Sequence, residues 1–100
     1  MQQTAPWEGT FYFDPSDKIY AHHFPSAPVV PGSLIVHAFT QAVKKIPGSG
    51  NPTVISRFKF RRFIPPGEYA YTVHDTGKGF RCVLYDSQKI VLTGEFGYEA

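Results

Sequence analysis

One stretch of the sequence constrains the fold more than any other, because it alone has the spacing of an amphipathic helix. Residues 32–45 contain no proline, and no glycine after the first residue. Apolar side chains recur there at helical intervals, at Leu34, Ile35, Ala38, Phe39 and Ala42. Two valines add apolar character outside that face. The pattern predicts one helix over about 32–45 that is covered on most sides.

The residues that flank this helix predict where it begins and ends. Ser33 can cap its start, and Lys44 suits its last turn, where the helix dipole favours cations. Pro47, followed by glycine, stops it. The preceding segment, 18–31, contains three prolines and is predicted to be an ordered, extended loop.

Most of the remaining sequence is typical of β-strands. Aromatic and β-branched runs between turn residues predict strands at 8–13, 53–64, 68–74, 80–85 and 89–98. The last three are expected to form an antiparallel meander. One hundred residues fit a single domain. We therefore predict an α+β domain over residues 1–100, with an antiparallel sheet wrapped around one helix.

Composition excludes several functional classes. A formal net charge of +2 is too small to argue for nucleic-acid binding by itself. Cys82 is the single cysteine, so no intrachain disulfide or thiolate metal cluster can form, and its apolar surroundings favour a buried, inert thiol. There is no apolar run long enough to span a membrane and no pattern of a signal peptide at the start. We expect a cytoplasmic protein.

The basic, aromatic stretch 57–62 allows two interpretations. Exposed rings between cations would suit single-stranded RNA. Alternation instead places Phe58 and Phe60 on one face and Arg57, Lys59 and Arg61 on the other. We favour this second interpretation, a half-buried strand whose basic face serves an acidic partner.

The histidines are the main candidates for chemistry. A lone histidine is usually structural or solvated, and we assign His22 and His74 to that class. His23 differs, because the rigid prolines that follow it are expected to hold the segment around it close to the start of the helix. Unpaired amides lie at a helix start, and Gly32 allows a carbonyl to approach them closely. A base beside such donors can remove a proton α to a carbonyl, because the donors stabilise the enolate.

The segment from His23 to Gln41 resembles a known signature, HFPxxPxxPGxLxxEAxxQ. The matching residues are His23-Phe24-Pro25, Pro28, Pro31-Gly32, Leu34, Ala38 and Gln41. The signature belongs to the FabZ/FabA-type β-hydroxyacyl-acyl carrier protein dehydratases, which have the hot-dog fold. Downstream, FKFRRFIPPGEYAYTVH (58–74) is similar to that family's KFRRxVxPGD segment and the long strand after it. The resemblance covers roughly residues 8–98 and implies a 3-hydroxyacyl-thioester dehydratase of fatty-acid or polyketide-type biosynthesis.

The resemblance implies a role for individual residues. His23 matches the catalytic histidine that acts on the α-proton, and Gly32 matches the glycine whose amide polarises the thioester carbonyl. His37 stands where the family has a glutamate or aspartate, which acts on the leaving hydroxyl from the opposite subunit. The remaining substrate-binding positions are Phe24, Val29, Pro31 and Ser33.

The resemblance also implies the partners. The family's acyl chains are carried on the phosphopantetheine of an acyl carrier protein or coenzyme A, without a metal or other cofactor. Its members form homodimers and often hexamers. Because carrier proteins are acidic, the expected docking residues are Arg57, Lys59, Arg61 and Arg62. Relative to the family, the sequence is shortened at its N-terminus by a helix and a strand, so one edge of the acyl tunnel is expected to be built differently.

His37 leaves three alternatives open. An imidazole can replace the carboxyl, by donating a proton to the departing hydroxyl or by holding a water. Alternatively, dehydration is lost and the site hydrolyses thioesters or isomerises a double bond. In the third alternative, His37 only packs in the core or at a dimer interface, and the protein binds acyl thioesters without catalysis. We favour dehydration, because the rest of the signature is intact.

Overall fold

A computed structural model describes residues 6–18, 28–47 and 54–97 of the chain. These residues form one helix and five strands. In chain order the elements are β1 (Trp7–Phe13), α1 (Gly32–Lys44), β2 (Val54–Phe60), β3 (Gly67–Asp75), β4 (Gly79–Asp86) and β5 (Lys89–Gly97). The helix and the strands therefore lie where the sequence predicts them, with small differences at their ends.

All five strands belong to one antiparallel sheet with the order β1-β3-β4-β5-β2. The meander predicted for the last three strands is confirmed, since β4 pairs with both β3 and β5. β1 and β2 are the two edges of this sheet. Helix α1 packs against one face, which gives the α+β arrangement of a hot-dog fold.

The core lies between α1 and the inner face of the sheet. Ile35, Phe39 and Val43 are the buried residues of the helix, and their spacing of four residues places them along one face. Phe39 is completely buried and meets Phe11 and Tyr71 edge-on, at centroid distances of 4.9 and 5.7 Å. Burying such a ring contributes roughly 2–3 kcal/mol.

Helix α1 differs from the prediction in two respects. Its N-cap is Pro31, and no side chain among the described residues caps it, so the capping role expected of Ser33 is wrong. Proline suits this position because its fixed φ, here −60°, is compatible with extended backbone. The helix is also buried on one face only. Its opposite face, which includes His37, Gln41 and Lys44, is exposed.

Strand β2 is shorter than the predicted strand at 53–64, and within the described residues it ends at Phe60. A bulge interrupts its pairing with β5 between Ser56 and Lys59. Arg57 lies in the bulge with a φ of +56°, a left-handed conformation that is uncommon for a residue with a side chain. The bulge keeps Ser56 and Lys59 on the same face, opposite Glu95 and Thr93 respectively.

Candidate functional site

The start of α1 is open in the part of the chain that the structure describes. Gly32 is the first helical residue, and the first turn contains no acidic side chain. The Pro31 carbonyl accepts hydrogen bonds from the amides of Leu34 and Ile35, at 3.0 and 3.3 Å. The amides of Gly32 and Ser33 have no partner among the described residues. Two amide donors and the positive end of the helix dipole therefore remain available to an oxygen ligand.

The loop immediately before α1 is fixed to the segment after β2. The Val30 amide donates to the Ile64 carbonyl at 2.9 Å, and both side chains are buried. Val29 and Pro31, two of the expected substrate-binding residues, are half-buried, whereas Ser33 is exposed. This connection holds the loop and the end of β2 next to each other. The expected catalytic His23 and its neighbour Phe24 lie outside the described residues.

Phe60, at the end of β2, is brought against the start of α1. A Cβ atom built on Gly32 would lie 2.9 Å from Cζ of the Phe60 ring, closer than real Cβ atoms come. Phe60 pairs with the buried Leu92, which places its ring on the inner face of the sheet. The sequence assigned Phe60 to an apolar strand face, but the sequence alone does not show that this face meets Gly32.

His37 lies on the exposed face of α1, away from the core. It follows Gly32 by five residues, which is about 7.5 Å along the helix axis. The core-packing alternative for His37 is therefore wrong, because the buried face of the helix passes through Ile35 and Phe39 instead. An exposed imidazole on this face can reach a neighbouring subunit, and the interface alternative remains a prediction.

The basic residues expected to dock a carrier do not all lie together. Three of them line a groove of about 290 Å³ on the outer face of the sheet, together with an arginine of β4 that the sequence did not indicate. The groove is lined by Arg57, Lys59, Arg61, Arg81, Thr93, Gly94 and Glu95. We call it the basic groove. Four cations and one carboxylate leave it with a formal charge of +3.

Arg62 is separate from the basic groove, because it pairs with Asp86 near the β4–β5 turn. Within the groove, Arg57 pairs with Glu95 at 3.5 Å and is largely exposed. Arg81 joins the groove because it lies opposite Glu95 in the β4–β5 ladder. Which residue lies opposite Glu95 depends on how β4 and β5 pair. The sequence pattern alone therefore did not reveal Arg81.

The aromatic rings of β2 do not lie among its cations. Phe58 packs against Phe96 on the inner face, whereas Lys59 pairs with Thr93 on the outer face. This is the arrangement expected for a half-buried strand. Bases stacked on these rings would not contact the basic groove, so the geometry does not favour the RNA-binding interpretation.

A second depression, of about 410 Å³, opens between β1 and the C-terminal half of α1. Aromatic residues, including Trp7, Phe11 and Tyr71, line it together with Ala38 and Ala42. None of the residues at the start of α1 lines this cavity. It is therefore distinct from the candidate site.

Cys82 and the acidic residues offer no further reactive centre in the described segments. Cys82 is completely buried, which confirms the expected burial, and burial raises the pKa of its thiol to about 12. Within residues 6–18, 28–47 and 54–97, no cluster of three His, Cys, Asp or Glu side chains could hold a metal ion. Over the same ranges, no helix is both long and apolar enough to cross a membrane.

Comparison with known proteins identifies the family. Residues 1–91 match the model of the ApeI-like family, described as ApeI dehydratase. The chain is 30% identical over 96 residues to the 3-hydroxyacyl-[acyl-carrier-protein] dehydratase FabZ of Protochlamydia amoebophila, an alignment that covers 83% of the chain. It is 32% identical over 91 residues to the FabZ of Rickettsia felis, covering 81% of the chain. In both comparisons the chain spans 62% of the relative's length.

A solved structure shares the fold along almost the whole chain. It is the dehydratase heterocomplex ApeI:P from Xenorhabdus doucetiae, with a TM-score of 0.68 and 20% sequence identity. The superposition covers 97% of each chain. The hot-dog architecture expected from the sequence is therefore confirmed by an independent structure. Together with the family match over residues 1–91, these findings show that the chain belongs to the ApeI-like dehydratase family.

Proposed function

We propose that this protein removes water from 3-hydroxyacyl thioesters to give 2-enoyl thioesters. The observation that supports it most directly is the open start of α1, where Gly32 is the first helical residue and the sequence matches a dehydratase signature. A thioester oxygen bound by the Gly32 amide becomes more negative as the α-proton leaves. The amide and the helix dipole stabilise that charge.

The chemistry divides between two histidines. His23 takes the α-proton, the electron pair forms the new carbon–carbon double bond, and the hydroxyl departs from the β-carbon. His37 donates the proton that turns the departing hydroxyl into water, as the family's carboxyl would do. The reaction needs no metal or other cofactor, and the substrate is carried on phosphopantetheine.

The exposed position of His37 supports a site shared between subunits. We propose that two chains associate through β2, because this strand is an edge of the sheet and carries exposed apolar side chains. Val54 and Ile55 are 40% and 54% exposed, and an edge strand with exposed apolar side chains favours pairing with another chain. His37 of one subunit then completes the site formed by His23 and Gly32 of the other.

Two assemblies meet this requirement. A homodimer, alone or within a hexamer, is the arrangement expected from the resemblance. The structural neighbour from Xenorhabdus doucetiae is described as a heterocomplex, which favours a second arrangement in which a different hot-dog subunit pairs with this chain. Mass measurement of the purified chain under native conditions distinguishes them, because only the first gives a dimer of this chain alone.

The basic groove supports recognition of an acidic acyl carrier protein. We propose that Arg57, Lys59, Arg61 and Arg81 form the docking surface and that Arg62 contributes little, because Asp86 already neutralises it. Complementary charge of this kind raises the rate of encounter more than the strength of the final complex. The effect should therefore weaken as the salt concentration rises.

A panel of pantetheine thioesters tests the proposed reaction against its alternatives. Dehydration of a 3-hydroxyacyl thioester, or hydration of a 2-enoyl thioester, supports the proposal. Free thiol released from a saturated acyl thioester indicates a hydrolase, and movement of the double bond indicates an isomerase. Binding of all three thioesters without turnover indicates a non-catalytic acyl-binding subunit.

A further inference from the structure

The ring of Phe60 occupies the space where the first residue of α1 would carry a side chain. A Cβ on Gly32 would lie 2.9 Å from Cζ and 3.3 Å from Cε1 of this ring. Only glycine leaves the ring undisturbed at this position. Phe60 is nevertheless 43% exposed, so much of the ring surface remains accessible.

The Phe60 ring lies beside the proposed carbonyl site, because the Cβ position of Gly32 and the unpaired amides are at the same end of the helix. In an α-helix, the Cα–Cβ bonds lean toward the N-terminus, and the first amides are unpaired at the same end. A ring that fills the Cβ position of Gly32 therefore borders the opening above the Gly32 amide. Phe60 is not a donor or acceptor, so its contribution there is the space that it takes up.

The α-carbon of a bound substrate falls within reach of that ring. A thioester oxygen accepts from an amide nitrogen at about 2.9 Å. Ordinary bond lengths put the α-carbon about 2.4 Å from that oxygen. A substituent on the α-carbon must then occupy the region next to the Gly32 amide, which the Phe60 ring borders on one side.

We propose that Phe60 restricts the substrates to acyl thioesters that carry no branch at the α-carbon. The proposal rests on the proposed function, because it uses the carbonyl site at Gly32. A 2-methyl group on the side of the ring would compete with the ring for space next to the Gly32 amide. One methyl or methylene group in an apolar pocket changes kcat/KM by about 10–200-fold, which sets the size of the expected discrimination.

The test compares kcat/KM for a straight-chain 3-hydroxyacyl pantetheine thioester and for its 2-methyl derivative, which retains one α-hydrogen. The wild-type protein is expected to prefer the straight chain at least tenfold. Phe60→Ala should reduce this preference at least tenfold, mainly by accelerating the branched substrate, and Phe60→Leu at least threefold. Phe63→Ala is the matched control, because Phe63 is 81% exposed, and it should leave the preference unchanged.

Two results would overturn the inference. One is a wild-type protein that dehydrates both thioesters equally well. The other is a preference for the straight-chain thioester that stays within twofold of the wild-type value in both Phe60 variants. Their melting temperatures must show that both variants are folded. In either case, turnover of the straight-chain thioester leaves the proposed function intact. A wild-type protein that turns over neither thioester contradicts the proposed function, and this inference with it.

Discussion

Phe58 packs edge-on against Phe96, with ring centroids 5.4 Å apart and ring planes at 73°. The contact is possible because Gly94 lies under the Phe58 ring. A Cβ on Gly94 would come within 2.4 Å of two of its ring carbons. This arrangement fixes the inner face of β2 to β5 just before Phe60 reaches the start of α1, so the packing of β2 bears directly on the candidate site.

Gly94→Ala is therefore expected to destabilise the protein by about 1–3 kcal/mol, the usual cost of overpacking a filled site. Gly97→Ala is the matched control, because a Cβ there meets its nearest neighbours at an ordinary 3.9 Å. Urea unfolding of both variants measures the difference. Equal stability of the two variants would show that the Phe58 ring moves aside freely.

Charge reversal at Arg81 is expected to impair the use of a carrier-linked substrate. Arg81→Glu should lower kcat/KM on acyl carrier protein substrates at least fivefold at low salt, because the basic groove loses two units of charge. The same variant should leave kcat/KM on acyl-pantetheine unchanged within twofold.

Arg62→Glu provides the comparison for Arg81, because Arg62 already pairs with Asp86 outside the groove. It should reduce carrier-linked activity less than Arg81→Glu does. A larger loss for Arg62→Glu would place the docking surface near the β4–β5 turn and contradict the assignment to the basic groove.

His37→Ala is expected to lower the dehydration rate without changing the stability of the chain. The side chain is exposed in the single chain, so its removal should change the free energy of unfolding of that chain by no more than about 0.5 kcal/mol. The dehydration rate should fall by about 10²–10⁴-fold if His37 donates the proton. Lys44→Ala, an exposed cation on the same helix face, is the control and should keep its activity. Full activity of His37→Ala would remove His37 from the mechanism.

Cys82 should make the free energy of unfolding decrease at alkaline pH. Burial raises the pKa of its thiol from 9.0 to about 12 in the folded state. The unfolded chain therefore loses this proton first as the pH rises, so folding should weaken between about pH 9 and pH 12 and be unaffected by Cys82 below pH 9.

Unfolding curves of the wild type and Cys82→Ala at several pH values measure this contribution. The variant is expected to be less stable at neutral pH, since it leaves a small cavity, but its stability should decline less steeply above pH 9. Parallel pH profiles for the two proteins would show that the thiol is not the group that titrates.

The sequence predicted the fold well where local patterns and core packing agree. The helical spacing that includes Ile35 and Phe39 predicted the buried face of α1, but Val43, which the sequence pattern placed outside that face, is buried with them. The turn residues separate strands that do form. The ends of elements were less predictable. Ser33 is a good cap by residue type, yet Pro31 occupies the N-cap position because the chain enters the helix in extended conformation.

The parts of the candidate site that depend on local sequence were predictable, and the parts that depend on contacts between distant segments were not. Gly32 could be placed at the helix start because both the periodicity and the family signature fix it along the chain. Phe60 and Arg81 could not be assigned, because their importance arises from contacts between distant segments. Phe60 meets Gly32 across the end of β2, and Arg81 meets Glu95 through the register of β4 and β5.

The role of His23 is the most direct test of the proposed dehydration. The measurement follows the interconversion of 3-hydroxyacyl and 2-enoyl pantetheine thioesters by the wild type and by His23→Ala, in the assembly state that the wild type adopts. We expect the wild type to catalyse the interconversion without releasing free thiol, and His23→Ala to lose at least a hundredfold in rate while it remains folded. Undiminished interconversion by His23→Ala, or thiol release as the sole reaction of the wild type, would contradict the proposed function.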